Sequence, residues 1–264
     1  MSDTIKKHSP LKNTPLRQAG ESLNDKLQEI LYVKIMSVII AIFFVFFMAV
    51  YDLFRLYFNI EPRPSVWFLS GILLILFYRN KLQNYWQEAK NTGLGMRGER
   101  IVSEMLYGLK KDGYEIFNDL INAKGNIDHI IVGPAGVFTV ETKTASKAGG
   151  DQRISYDGEN IRIDGWIPSR NIIKQALAEK YWLEDFIAQR TEKTVTIKVT
   201  PVVIYPGWFI DPSCHKSTEV MILNDDEKGL PAQLQKMERT LSEEQIDILS
   251  KHIGDRIREC YKGS

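Results

Sequence analysis

Residues 125–143, GNIDHIIVGPAGVFTVETK, constrain the fold of this chain more than any other stretch. Two runs rich in β-branched and apolar residues, 127–132 and 137–143, flank the turn formers Gly133-Pro134-Ala135-Gly136 and together spell a β-hairpin. If Val132 pairs with Val137 across that four-residue loop, Asp128 falls directly opposite Glu141, with Cβ atoms about 4.5–5.5 Å apart. Strand alternation places Lys143 on the face of Glu141, one step further along. Two carboxylates facing each other across neighbouring strands repel unless a cation sits between them, and at this separation both can ligate one divalent ion. Glu-x-Lys on a strand is also a common solvated ion-pair face, and Asp128 alone reads equally as a strand-end residue. The flanking Ile130, Ile131, Val132, Val137, Phe138 and Val140 favour the liganded reading: they leave no wet face, and charged groups on a buried strand need a partner. A one-residue bulge would separate the pair.

Composition narrows the remaining options. The 264 residues carry 34 basic and 33 acidic side chains, a formal net charge of +1, so any nucleic-acid-binding surface must be local. Cys214 and Cys260 have no metal-ligand spacing and indicate no disulfide framework. The four histidines, His8, His129, His215 and His252, are scattered, which argues against a zinc site. His129 follows Asp128 and so points to the opposite strand face, as a packed histidine.

The N-terminal third differs in kind. Residues 35–51 are uncharged and strongly apolar, and 52–54 extend the run towards the ~20 residues of a membrane span. A second apolar run, 65–78, follows Glu61-Pro62-Arg63-Pro64 and is short for a span unless the bilayer thins. Tyr57, Trp67 and Tyr78 fit an interfacial aromatic belt. The first run begins too far into the chain for a cleaved signal peptide. Lys6, Lys7, Lys12, Arg17, Lys26 and Lys34 precede it, Arg79, Lys81, Lys90 and Arg97 follow the second, and the loop between holds only Arg55 and Arg63. The positive-inside rule then gives a multi-pass hairpin in the inner or cell membrane with both ends in the cytoplasm. Two buried helices of a soluble protein are the competing reading. A single span with an interfacial second segment would place the large domain outside. Neither run contains Asp, Glu, Lys or Arg before residue 52 or after residue 64, so no polar transport pathway is indicated.

These features divide the chain into a cytoplasmic segment (1–33), a transmembrane hairpin (34–80), a linker helix (81–92) and a soluble domain (93–264) with its boundary near Gly93-Leu94-Gly95. A short helix over 22–31 is expected at the membrane surface. The soluble domain opens with a helix over 97–111, on which Ile101, Val102, Met105, Leu106 and Leu109 form one stripe. Glu99 shares the edge of that stripe, either as a helix N-terminal charge or as a third acid aimed at the hairpin. A strand over 114–118, the hairpin, a bend at Ala148-Gly149-Gly150 and short strands around 154–156 and 160–163 follow, the last two joined at Asp157-Gly158. A helix over 169–189 carries Gln175 near its start, among Arg170 and Lys174. A buried strand over 195–205 is expected to break at Pro201, and Ser242 with Gln245 forms a capping box for a helix over 243–261. The order is that of an α/β fold with a central mixed sheet.

The motifs resemble a known family. Gly98-Glu99 opening a helix, Asn126-Ile127-Asp128-His129 in the first hairpin strand, Gly133-Pro134-x-Gly136-Val137 at the turn, Glu141-x-Lys143 at the exit and a later helix with Gln175 are similar to the NERD (nuclease-related) domain of the PD-(D/E)xK nuclease superfamily. The likeness covers roughly residues 93–205. It implies a restriction-endonuclease-like αβββαβ core, here preceded by two transmembrane helices. It further implies that Asp128 and Glu141 bind metal with the Thr142 carbonyl, and that Glu99, Lys143 and Gln175 complete the catalytic set. Ile127 stands where the superfamily has proline, and Pro168 is separated from Gln175 by more residues than the pattern leads one to expect.

The resemblance implies a hydrolase: a nuclease that uses Mg²⁺ or Mn²⁺ to cleave phosphodiester bonds in nucleic acid, with DNA as the expected substrate, next to the lipid bilayer. Lys124, Lys147, Arg153, Arg170 and Lys174 lie near the motifs as candidate phosphate contacts, or as ordinary solvated charges. Two other functions compete. One is an inactive nuclease-fold module that binds nucleic acid or a protein partner at the membrane. The other is a membrane scaffold whose soluble domain recruits partners.

Overall fold

The hairpin forms in the expected register. A computed structural model of the chain describes residues 16–58, 60–61, 63–122, 125–146, 153–191, 197–216, 219–226 and 229–262. Lys6, Lys7, Lys12, Pro62, Lys124, Lys147 and the Ala148-Gly149-Gly150 bend lie outside the described residues. The chain divides into two compact units, Glu21–Arg97 and Gly98–Ser264 joined by the stretch up to Gly20.

In the first unit, α1 (Glu21–Gln28) passes through a π-helical stretch (Glu29–Ile35) into α2 (Met36–Phe54). A 3₁₀ turn follows, and α3 (Pro64–Tyr107) begins with proline in the first turn, where a missing N–H costs nothing. Asp52 is buried and accepts hydrogen bonds from the Arg55 guanidinium (3.0 Å) and the Arg63 backbone N–H, which ties the end of α2 to the start of α3. The helices Glu21–Phe54 and Pro64–Asp112 are long and apolar enough to cross a membrane. Phe43, Phe46, Leu69, Leu73 and Leu76 are each more than half exposed, so neither apolar run is packed like the core helix of a soluble protein.

α3 does not stop at Gly93-Leu94-Gly95, where the sequence suggested a linker ending and a new helix starting. An interior glycine costs only about 1 kcal/mol against alanine, and no proline intervenes, so one helix runs through. It ends in a 3₁₀ turn (Gly108–Asp112) closed by Gly113 in the left-handed region (φ 82°).

In the second unit, β1 (Glu115–Asn122), β2 (Gly125–Gly133) and β3 (Gly136–Thr142) form an antiparallel meander. β4 (Arg153–Tyr156), β5 (Ile161–Ile163), α4 (Ile172–Arg190), β6 (Val199–Ile204), β7 (Phe209–Ile210), β8 (Met221–Leu223), α5 (Leu230–Leu234) and α6 (Glu243–Lys262) follow. The central sheet has the order β1-β2-β3-β6-β8, antiparallel over the meander and parallel from β3 onwards; a smaller sheet has the order β5-β4-β7. The helix–β1–β2–β3–α4–β6 series is the expected αβββαβ core with a mixed sheet. Three parts of the expectation change. The turn is tighter, because Gly133 pairs with Gly136 and leaves only Pro134-Ala135 as the loop. β6 is not broken at Pro201: β8 pairs only from Val202, so at the proline the strand has a partner on one side alone. β7, β8 and α5 are additional elements.

Apolar side chains line both faces of the central sheet. Val102, Leu106 and Leu109 at the end of α3, with Leu230 and Leu234 of α5, pack with Ile131, Phe138 and Val140. On the other face α4 packs over β3 and β6, and α6 over β1 and β2, burying Ile130, Val132 and Val137 against Leu183, Ile187, Leu249 and Ile253. The capping box holds α6 in place: the Ser242 N–H donates to Gln245 Oε1 (3.0 Å) and the Gln245 N–H to Ser242 Oγ (3.3 Å).

Candidate functional site

The β2–β3 ladder runs without a bulge from Gly133 opposite Gly136 to His129 opposite Val140, and Asp128 and Glu141 are the next residues on the two strands. Both carboxyls are buried, and every residue of β3 is buried with them. Asp128 Oδ2 accepts the Thr142 backbone N–H (2.8 Å), which fixes the acid at the strand end. Lys143 leaves β3 on the Glu141 side and donates through Nζ to Glu141 Oε1 and to Gln175 Oε1 (3.0 Å).

Gln175 reaches the hairpin because Asn171 caps α4: its side chain accepts the Lys174 N–H (2.9 Å), two residues after the expected helix start. The Gln175 amide donates to Glu141 Oε1 (2.8 Å) and to Glu179 Oε1 (3.0 Å). One glutamine therefore organises Glu141, Lys143 and Glu179 together.

Glu99 arrives from α3, and Gly98 allows it. A Cβ at position 98 would stand 2.1 Å from Thr144 Cγ2 and 3.4 Å from Thr142 Cγ2, so with Thr144 in its present rotamer glycine is what lets the helix approach the exit of β3 this closely. Glu99 is buried, accepts the Gly20 backbone N–H, and has its pKa raised to about 7 by burial and then by the charges of Asp119 and Glu141. All five expected residues, Glu99, Asp128, Glu141, Lys143 and Gln175, thus share one neighbourhood.

Two acids were not anticipated. Glu179 is buried one turn beyond Gln175, and its pKa is pushed up to about 9 by burial and then by the neighbouring charge of Glu141. A signal for it existed. Ile172, Ala176, Glu179, Leu183 and Ile187 form the buried stripe of α4, and a carboxyl within such a stripe is exceptional. Asp119 is fully buried at the register position facing Asp128, with φ at 54°, bonded to Asn126 Nδ2 (2.9 Å) and to Arg17 Nε (2.8 Å). Neither its backbone twist nor its tie to residue 17 is visible as a local pattern.

The pKa of Asp128 is raised well above the usual carboxyl value by burial, then by Glu141 and Glu99. His129, by contrast, is a packed residue. It is fully buried, its Nδ1 lies 2.9 Å from Asn118 Oδ1, and burial drives its pKa down to about 3, so it is neutral at working pH. Among the candidate phosphate contacts, Arg153 is paired with Asp211 (3.1 Å) in the small sheet, while Arg170 lines a cleft shared with Gln175 and Glu179.

Among the described residues no three His, Cys, Asp or Glu side chains stand in a finished metal-ligand cluster. The donor set nevertheless suits a hard cation. Glu99 Oε2, Glu141 Oε2 and Glu179 Oε2 are buried without a hydrogen-bond donor. Carboxylate oxygens are the donors that Mg²⁺ or Mn²⁺ prefers.

The sequence profile of the nuclease-related domain (NERD) family matches residues 94–206, so a nuclease-related domain occupies this part of the chain. No curated protein and no solved structure matches the chain.

Proposed function

We propose that this nuclease-related domain is an active, divalent-metal-dependent nuclease held at a membrane, with DNA as its substrate. The observation that carries the reading is the convergence of Asp128, Glu141, Lys143 and Gln175 around carboxylate oxygens that lack donors. Asp128, Glu141 and the Thr142 carbonyl would hold Mg²⁺ or Mn²⁺, which when bound supplies Lewis-acid polarisation of a phosphoryl oxygen and a water of lowered pKa.

The rest of the chemistry belongs to the chain. Lys143 Nζ keeps a third donor beyond its bonds to Glu141 and Gln175, and that donor offers charge-assisted stabilisation to a phosphate oxygen as negative charge builds. Gln175 holds the ammonium and Glu141 in fixed relation, so little reorganisation is needed during reaction. Glu99, with a pKa near 7, is suited to hold a proton or a water-bridged contact at the edge of the site. The exposed apolar surfaces of α2 and α3 suit lipid, and the charge pattern of the flanking segments supports a cytoplasmic domain.

The test is cleavage of plasmid and linear DNA by the full chain in detergent, with Mg²⁺, with Mn²⁺ and with EDTA, beside Lys143→Ala. Metal-dependent cleavage that falls by a factor of ~10²–10³ in the variant is expected. Equal activity in both proteins overturns the mechanism. Nucleic-acid binding without cleavage under every ion would favour a binding module instead.

A further inference from the structure

We infer that the cleft beside the acids is a subsite for one unpaired nucleotide, so that the enzyme cuts next to single-stranded or frayed nucleic acid. This rests on the nuclease reading above and specifies its substrate.

The cleft has a volume of about 610 Å³ and lies between the β1–β2 end of the meander and α4. That is within the ~300–1,000 Å³ typical of small-ligand sites, room for one nucleotide unit. Gln175 and Glu179 are among its lining residues, so the cleft adjoins the proposed reaction centre. Along α4 the wall is Tyr181 and Trp182. Trp182 has one ring face stacked on Phe186, with centroids 5.5 Å apart and planes within 7°, which holds the indole as a rigid platform. Asn122 lies on the opposite side. Arg170, exposed at the cleft, supplies the guanidinium that a backbone phosphate needs.

Aromatic platform and guanidinium together suit a base with its phosphate. In a duplex the base faces are stacked inside the helix, out of reach of a side chain on α4. An unpaired nucleotide presents its face freely, and stacking on an aromatic ring is indifferent to which base it is. The cleft therefore selects strand form rather than sequence.

The full chain in detergent, with Ca²⁺ in place of Mg²⁺, is titrated with a fluorescein-labelled 15-nucleotide single strand and with the same sequence as a blunt duplex. The single strand is expected to bind about tenfold tighter. Trp182→Ala should lose about tenfold in single-strand affinity while the duplex changes less than about twofold. Because Trp182 also packs against the core, Arg170→Ala serves as the second variant; its exposed position spares the fold, and the slope of log K against log salt should fall by about 0.7 for the single strand. Equal wild-type affinity for both forms, or single-strand affinity unchanged in both variants, overturns the assignment. Binding is read without turnover, so a chain that prefers single strands yet cleaves nothing in Mg²⁺ refutes the nuclease reading and leaves the subsite standing.

Discussion

Replacing Glu179 by glutamine should make the metal-free protein more stable, by an amount that grows with pH. Glu179 is buried beside Glu141, and its folded pKa is about 9 against an ordinary 4.5. A carboxyl whose pKa is raised on folding binds its proton more tightly in the native state, so stability is highest below 4.5 and falls as pH rises towards 9. Each pH unit in that window costs ~1.4 kcal/mol, which makes the penalty roughly 3 kcal/mol at pH 7. The amide that Glu179→Gln introduces keeps an oxygen for the Gln175 donor at 3.0 Å and adds a donor towards the Glu141 carboxyl. For a domain of this size the gain corresponds to roughly 5–10 °C in thermal midpoint at pH 7, and to about a quarter of that at pH 5. Differential scanning calorimetry in detergent and EDTA at pH 5, 6, 7 and 8 measures it. A variant whose midpoint stays at or below that of the wild type throughout, or a difference that does not widen with pH, refutes the account of the acidic cluster.

Mg²⁺ at millimolar concentration should raise the thermal midpoint of the wild type more at pH 8 than at pH 5.5, because its ligands must shed protons first, and Asp128→Asn should abolish the shift; a pH-independent shift would contradict this. Gly98→Val should cost ~1–3 kcal/mol and depress cleavage, since its Cβ meets Thr144 Cγ2, and Thr144→Ala in the same chain should restore part of both losses. Failure of the second substitution to rescue would mean that the close approach is not what matters. Arg17→Ala should lower stability by about 3 kcal/mol in denaturant titrations, because it removes the guanidinium facing the fully buried Asp119; an unchanged midpoint would make that ion pair irrelevant to the fold.

The hairpin and its three charged residues were legible because a strand has a period of two and a short turn fixes register; once Val132 meets Val137, the partner of Asp128 follows. The capping box of α6 was legible for a similar reason, since both partners lie within one turn. Longer-range features were not. β8 has three residues, too few to show alternation, and it exists because β6 offers it a parallel edge. Glu179 was within reach, as the one charge in a stripe of apolar side chains, but its meaning depends on α4 lying across β3. The Arg17–Asp119 pair joins residues about a hundred positions apart and has no local trace.

The energetics of the site and of the fold pull in opposite directions, and that opposition is informative. The core on both faces of the central sheet is apolar and needs no carboxyl to close it. Yet Glu99, Asp128, Glu141 and Glu179 are buried together, and three of their oxygens find no donor. Left alone, such a cluster relieves its own repulsion by holding protons and offers a phosphate no attraction. A cation bound there would reverse both effects, relieving the carboxylates and presenting positive charge to a phosphodiester. Metal and nucleic acid must then strengthen each other's binding by the same factor, since the coupling is a property of the ternary complex and not of either ligand. With a net charge of only +1 the chain has no long-range field to gather nucleic acid, so on the proposed reading this local reversal of charge, together with Arg170, would let a polyanion approach four acids.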